Sequence, residues 1–208
     1  MELFWLALAW LAYAALHSLL AAFAVKGRIA ARWPGLMPGY RLGYNLVAVV
    51  TALPLVWLVY ATPGDWLWRW TAGWAWLANG LALAAVVVLM RSAGHYDMDE
   101  FLGLRQLRDG AAQPDRPGGF SLSPFHRFVR HPWYCCGLVL VWTRDMNPAL
   151  LLSALAITLY FVVGSRLEER KLIALHGDVY RRYMARVPGL LPLPWKFLRR
   201  AEAAELSR

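Results

Sequence analysis

The stretch Leu3–Val25, LFWLALAWLAYAALHSLLAAFAV, runs 23 residues with only His17 and Ser18 interrupting its apolar character. At about 1.5 Å of rise per residue, such a helix is longer than the ~30 Å hydrocarbon layer of a bilayer. The stretch therefore predicts a membrane-spanning helix. Glu2 precedes it and Lys26, Arg28, Arg32 and Arg41 follow it, which is the reverse of a cleaved leader, where the positive charge comes first. The helix is expected to stay, with its N-terminus outside.

The same reading extends along the chain. Leu42–Ala61 is a second apolar run, closed by the turn-like Thr62-Pro63-Gly64-Asp65, and Trp66–Met90 is a third. Trp66, Trp68, Trp70, Trp74 and Trp76 crowd the start of the third run, as interfacial anchors do. Arg91–His131 then turns polar and rich in Gly and Pro, too long for an idle connection, and function is expected there. Pro132–Trp142 and Pro148–Gly164 are two shorter apolar runs separated by Thr143-Arg144-Asp145-Met146-Asn147, the pattern of a helical hairpin. From Ser165 the chain is polar and basic. Leu172, Leu175, Val179, Tyr183 and Val187 fall at helical spacing there, and Gly177-Asp178 reads as a cap followed by a new start.

The composition of the whole agrees. Of 208 residues, 59% are hydrophobic and 17% charged, too few charges to cover a water-soluble globule. The apolar content also excludes a disordered chain. Twenty of the 22 Lys and Arg residues lie in Lys26–Arg41, Arg91–Arg130 and the chain from Arg166 on. Five spans put those three segments on one side, the cytosolic one by the positive-inside rule.

The expected architecture is an all-α polytopic membrane protein. It has five transmembrane helices, a C-terminal helical hairpin and a cytosolic amphipathic helical tail. The chain is expected to form a single membrane domain: residues 1–90 carry three spans, 91–131 a cytosolic loop, and 132–208 the hairpin and tail. A net charge of +9 that flanks membrane spans predicts contact with anionic lipid rather than nucleic acid. Cys135 and Cys136 are adjacent in an apolar run, a spacing that offers neither a disulfide framework nor a zinc site.

Two clusters at one end of the hairpin can carry chemistry. In Arg130-His131-Pro132-Trp133-Tyr134, the proline suits the first turn of a helix, where its missing N–H is no loss. The neighbouring N–H groups then suit an anionic group. At the other strand of the hairpin Glu168-Glu169 stand beside Arg166, Arg170 and Lys171. Adjacent carboxylates at membrane depth are costly unless paired or bound to a cation, and the alternative for them is an exposed, salt-bridged tail surface. Among the spans, the polar outliers are His17, Asn45 and Asn79; His17 and Asn45 are candidates for acceptor contact, with packing the competing role. His95, Tyr96, Asp97, Asp99 and Glu100 open the long loop, as a solvated turn or a lid. His126 lies five residues before His131, off the spacing that aligns two ligands on one helical face, and no metal is expected.

Taken together, Arg130-His131-Pro132-Trp133-Tyr134, Glu168-Glu169-Arg170-Lys171-Leu172, His176-Gly177-Asp178-Val179-Tyr180, Tyr183 and Val187-Pro188-Gly189-Leu190-Leu191-Pro192 resemble the C-terminal core of the integral-membrane methyltransferases. These include isoprenylcysteine carboxyl methyltransferases, phospholipid methyltransferases, and the NnrU-like proteins with the methanethiol S-methyltransferases. Upstream, Leu16-His17-Ser18-Leu19-Leu20, Tyr40–Val47 and Phe101–Leu107 look more like the NnrU and thiol-methylating branch. His176 stands where the family usually has an aromatic residue.

The resemblance implies S-adenosylmethionine as methyl donor, held by Arg130, His131, Pro132, Trp133, Tyr134, Glu168, Glu169 and Tyr180. Such a donor carries a sulfonium, an ammonium and a carboxylate, so its pocket should mix carboxylates, an Arg or N–H-rich helix end, and aromatic faces. Glu169 is the candidate base or sulfonium partner, and Arg166 the candidate for orienting an acidic acceptor or lowering a thiol's pKa. The acceptor implied is a small or lipophilic thiol arriving from the bilayer, with a prenylcysteine carboxylate close behind. No G-x-G-x-x-G or phosphate-binding loop is present in the sequence. Two readings compete with methylation: an NADPH-dependent membrane reductase of the sterol type, and a non-catalytic NnrU-like accessory protein.

Overall fold

Prolines open both helices of the hairpin, and the side chains around them explain its geometry. The computed structural model describes residues 1–62, 64–110, 120 and 122–206. Its helices are α1 Glu2–Ala21, α2 Phe23–Arg32, α3 Met37–Ala61, α4 Ala72–Ala93, α5 Met98–Leu102, α6 Leu104–Asp109, α7 Pro132–Trp142, α8 Pro148–Arg186 and α9 Arg200–Leu206. Among the described residues there is no strand, only isolated bridges between Trp68 and Met146 and between Leu193 and Lys196. Four helices are long and apolar enough to cross a membrane: α1, α3 with its preceding turn, α4 and α8. Helix α7 has 11 residues, about 17 Å of rise and well short of a bilayer core. The protein is therefore an all-helical membrane protein.

Two boundaries differ from those read in the sequence. The first apolar run is not one helix: α1 ends at Ala21, and Ala22 is extended (φ −70°, ψ 135°). The Tyr40 hydroxyl donates to the Leu20 carbonyl at 2.7 Å, occupying an acceptor that a continuing helix would use itself. The basic residues Lys26, Arg28 and Arg32 thus fall on the separate helix α2. The third span begins at Ala72, not Trp66. The chain before it is extended because it pairs with Met146: Leu67 N–H donates to the Met146 carbonyl at 2.8 Å, and Met146 N–H to the Trp68 carbonyl at 3.0 Å. Trp66, Trp74 and Trp76 remain exposed, in keeping with interfacial anchoring. Pro63, in the turn expected at 62–65, lies outside the described residues, as does part of the long loop, 111–119 and 121.

The chain forms two compact units. The first comprises Met1–Trp68, Tyr96–Asp115 and Met146–Ala156. Its core joins Leu6, Leu55, Val59 and Ala149, with Trp10 and Tyr13 against them, and the Trp10 indole donates to Ser153 at 2.9 Å. What read as a solvated turn at 95–100 becomes a helix start: Asp97 accepts from the Glu100 N–H at 3.0 Å as an N-cap. Gly103, at φ 90°, then joins α5 to α6 in a conformation that favours glycine.

The second unit comprises Arg69–His95, Arg116–Asp145 and Ile157–Arg208. Its core gathers Tyr180, Tyr183, Val187, Leu198 and Ala203. At the start of α8, which belongs to the first unit, Asn147 accepts from the Leu150 N–H at 2.8 Å and caps the helix. The Trp142 indole donates to Thr158 at 3.0 Å, joining α7 to α8. Gly177, at φ 56° and ψ −127°, breaks α8 where the Gly177-Asp178 pair predicts a cap and a restart.

Candidate functional site

The segment before α7 lies beside the turn that follows α8. Arg130 N–H donates to the Pro188 carbonyl at 2.8 Å and His131 N–H to the Gly189 carbonyl at 3.1 Å. With Pro132 at the first helical position, this pairing fixes the direction in which both side chains leave the backbone. Gly189 sits under the guanidinium: a Cβ there would lie 3.3 Å from Arg130 Nη2 and 3.9 Å from Glu169 Oε1.

The side chains form one knot. Arg130 Nε donates to Glu169 Oε1 at 2.8 Å, and its Nη1 donates to the carbonyls of Met184 and Val187. His131 Nε2 is 3.0 Å from the same Glu169 oxygen. Its Nδ1 lies 3.5 Å from Glu168 Oε2, to which the Tyr134 hydroxyl donates at 3.3 Å. The two carboxylates differ in exposure. Arg130 and Glu169 side chains are 13% and 10% exposed, whereas Glu168 is 50% exposed. Glu169 is thus committed to holding two cationic groups, and Glu168 presents an open carboxylate.

Two histidines respond oppositely to this environment. Burial disfavours the charged form of His131, but hydrogen bonds to Glu168 and Glu169 and their charges outweigh it, so its pKa is raised above the ordinary histidine value. His126, outside the knot, is pushed down to about 4, chiefly by burial and then by the neighbouring His131. It is bonded to Ser123 at 2.8 Å, and its carbonyl accepts from the Tyr183 hydroxyl at 2.7 Å. An aromatic wall borders the knot: the His131 and Tyr134 rings are stacked at 5.3 Å and 8°, and Tyr134 stacks on Phe161 at 4.7 Å and 6°.

The structure thus brings Arg130, His131, Tyr134, Glu168 and Glu169 together. The other expected residues have further partners. Trp133 donates to Ser92 on α4 at 3.0 Å. Tyr180 is buried in the cluster with Tyr183 and Phe120, and His176 keeps an aromatic-type contact with Phe120 at 5.4 Å. Arg166 is exposed. His17 and Asn45 belong to the first unit. There His17 is bonded to the Tyr44 hydroxyl, and Asn45 donates to the Phe101 and Leu102 carbonyls at 3.2 and 3.1 Å. Among the described residues no cluster of three or more His, Cys, Asp or Glu groups could hold a metal.

Sequence reasoning assigned no role to Phe161 or to the carbonyls of Pro188 and Gly189. The Val187-Pro188-Gly189 pattern was visible, but which backbone groups a turn offers to a distant segment is decided by folding alone. Phe161 had no local signal, being one apolar residue in an apolar helix.

No protein-family model matches the chain, and no solved structure matches it. Among curated proteins it is similar to the methanethiol S-methyltransferase of Pseudomonas deceptionensis, 36% identical over 56% of this chain and 43% of that protein. It is also similar to the methanethiol S-methyltransferase of Crocosphaera subtropica, 32% identical over 84% of this chain and 72% of the relative. With that of Mycobacterium tuberculosis the identity is 34%, over 85% of this chain and 76% of the relative. The matched stretch is thus less than half of the first relative's length and about three quarters of the other two. With 32% and 34% identity extending over most of both partners, the chain belongs to the methanethiol S-methyltransferase family of membrane proteins.

Proposed function

We propose that this protein is a membrane methyltransferase that moves a methyl group from S-adenosylmethionine to a small thiol. The observation that carries the reading is the buried Arg130–Glu169–His131 knot beside the open Glu168 carboxylate, in a chain of this family. The donor set fits such a molecule: Glu168 offers a half-exposed carboxylate to a cationic centre, and the parallel Tyr134 and His131 rings offer an aromatic border.

Held there by Glu168 and the Tyr134–His131 border, the donor would supply an activated methyl carbon to the thiol sulfur and leave as the uncharged thioether, with the thiol proton passing to solvent. The chain's own groups divide the remaining work. Glu169 holds Arg130 and His131 in place, and these two cations keep the site's charge balanced against the carboxylates. Glu168 faces outward and meets the positive charge. Arg166, exposed two residues before Glu168, is the group assigned to favouring the thiolate, whose acid form has a reference pKa of about 8.5 for cysteine. Proximity in a water-poor site supplies most of the acceleration. Trp133 and Tyr180 support the site from behind, through Ser92 and the tyrosine cluster. The bonds of His17 and Asn45 within the first unit support packing roles for both.

The reading includes five crossings of the cell membrane, with α7 completed by flanking residues, the N-terminus outside, and the long loop and tail in the cytosol. Anionic lipid is the expected partner of the basic face. The stacked Phe128 and Phe197, at 6.1 Å, support this, as do the exposed Trp195 and the neighbouring Lys196, Arg199 and Arg200.

The test is calorimetry of the purified protein with S-adenosylhomocysteine and with NADPH, followed by incubation with labelled donor and a panel of methanethiol, longer thiols, prenylcysteine and phospholipid. Saturable binding of the first compound and label on methanethiol are expected. Binding of NADPH alone would replace the reading with a reductase.

A further inference from the structure

Glycine at 137 and phenylalanine at 161 meet face to face across the α7–α8 hairpin. A Cβ on Gly137 would lie 2.8 Å from Phe161 Cε2, closer than real Cβ atoms approach, and a tight 3.2 Å from Cζ. The ring therefore occupies the space that any larger residue at 137 would need. The ring is also parallel to Tyr134 at 4.7 Å and 6°, and Tyr134 is in turn parallel to His131 at 5.3 Å and 8°. The Tyr134 hydroxyl reaches Glu168 at 3.3 Å, and a Cβ on Gly164 would meet that hydroxyl at 3.9 Å. The three rings make a continuous column from the apolar middle of the hairpin to the carboxylates.

We propose that Phe161, seated on Gly137, is a specificity-determining residue that limits the length of the thiol this enzyme can methylate. The inference rests on the methyltransferase reading and adds to it the residue that sets acceptor length. The physical reason is packing. Between α7 and α8 at this level the ring touches the facing backbone, so an alkyl chain following the aromatic column has to displace it. A methanethiol-sized acceptor has no chain to place there. The ring also backs Tyr134, so its removal frees volume beside the site without deleting any group that touches the carboxylates.

The experiment uses the full-length protein in detergent, saturated with methyl donor, and compares kcat/KM along a series from methanethiol to decanethiol. In the unaltered protein the value is expected to fall steeply with chain length. Phe161→Ala is expected to raise the decanethiol-to-methanethiol ratio by about tenfold or more, the scale on which apolar pockets discriminate size. Phe161→Leu should lie between. Gly137→Ala acts in the opposite sense, since its methyl group crowds the ring further, and it should lower the same ratio. S-adenosylhomocysteine affinity, measured by calorimetry without any acceptor, separates the two layers of the claim. Its absence in the unaltered protein would remove the methyltransferase reading and this inference with it. Intact binding with chain-length profiles that superimpose for all four proteins would overturn the role of Phe161 alone.

Discussion

His17 and His131 are each hydrogen-bonded through the ring and stacked on a tyrosine. His17 lies parallel to Tyr13 at 5.9 Å and bonds the Tyr44 hydroxyl. His131 lies parallel to Tyr134 at 5.3 Å but faces two carboxylates, with Arg130 sharing one of them. A phenol stabilises a neutral ring by one bond of modest net value. Two carboxylates stabilise a cation, and removing one member of such a buried set leaves the others uncompensated. A histidine among apolar residues is thus informative about function only once its partners are known.

The widest test of that contrast lies within the charged knot. Glu169→Gln leaves the buried Arg130 and His131 short of their shared counter-ion and should destabilise the protein by about 3–5 kcal/mol, with donor affinity lost in parallel. Glu168→Gln removes a half-exposed carboxylate that shares His131, so it should lower the melting temperature less than Glu169→Gln while weakening donor binding by roughly tenfold. Equal effects of the two in denaturation and calorimetry would erase the division of labour between them.

The pH dependence of folding is the next largest effect. Because His131 has its pKa raised in the folded protein, its contribution is fully present below the unfolded value of about 6.5 and is lost as pH climbs through the raised one. The melting temperature should fall as pH rises above about 6.5, and His131→Asn should flatten that slope. A slope unchanged in the variant would assign the pH response to another group.

Tyr44→Phe should have the smallest effect. It deletes the bond to His17 while keeping the ring, at a cost of about 0.5–1.5 kcal/mol. Donor affinity and the KM for thiol should stay as they are. A raised KM with undisturbed donor binding would move His17 from packing to acceptor contact and weaken the contrast between the two histidines.

The helical, membrane-bound character was legible because hydropathy is a local property: a run such as Leu3–Val25 declares a span whatever surrounds it. The start of the third helix was not legible, since Trp66–Thr71 continues into the apolar run of the span. It is drawn out by backbone bonds from Leu67 and Trp68 to Met146, some eighty positions away. At the site, the residue types were readable from the Arg130-His131-Pro132 and Glu168-Glu169 patterns. Their unequal burial was not, because adjacent residues on a helix point about 100° apart, and only the packing partner decides which one is covered.

Sequence alone determined the chemistry on offer: apolar runs long enough to cross a bilayer, basic charge gathered in three segments between and after them, a proline-led helix start and a carboxylate pair. The tertiary structure decided their assignment. It closed Glu169 into the Arg130–His131 knot and left Glu168 open, placed Trp133 on Ser92, and laid Phe161 over Gly137. Contacts between distant segments depend on how helices fit together, and that fit is set by the shapes of all the side chains at once rather than by any stretch read in isolation.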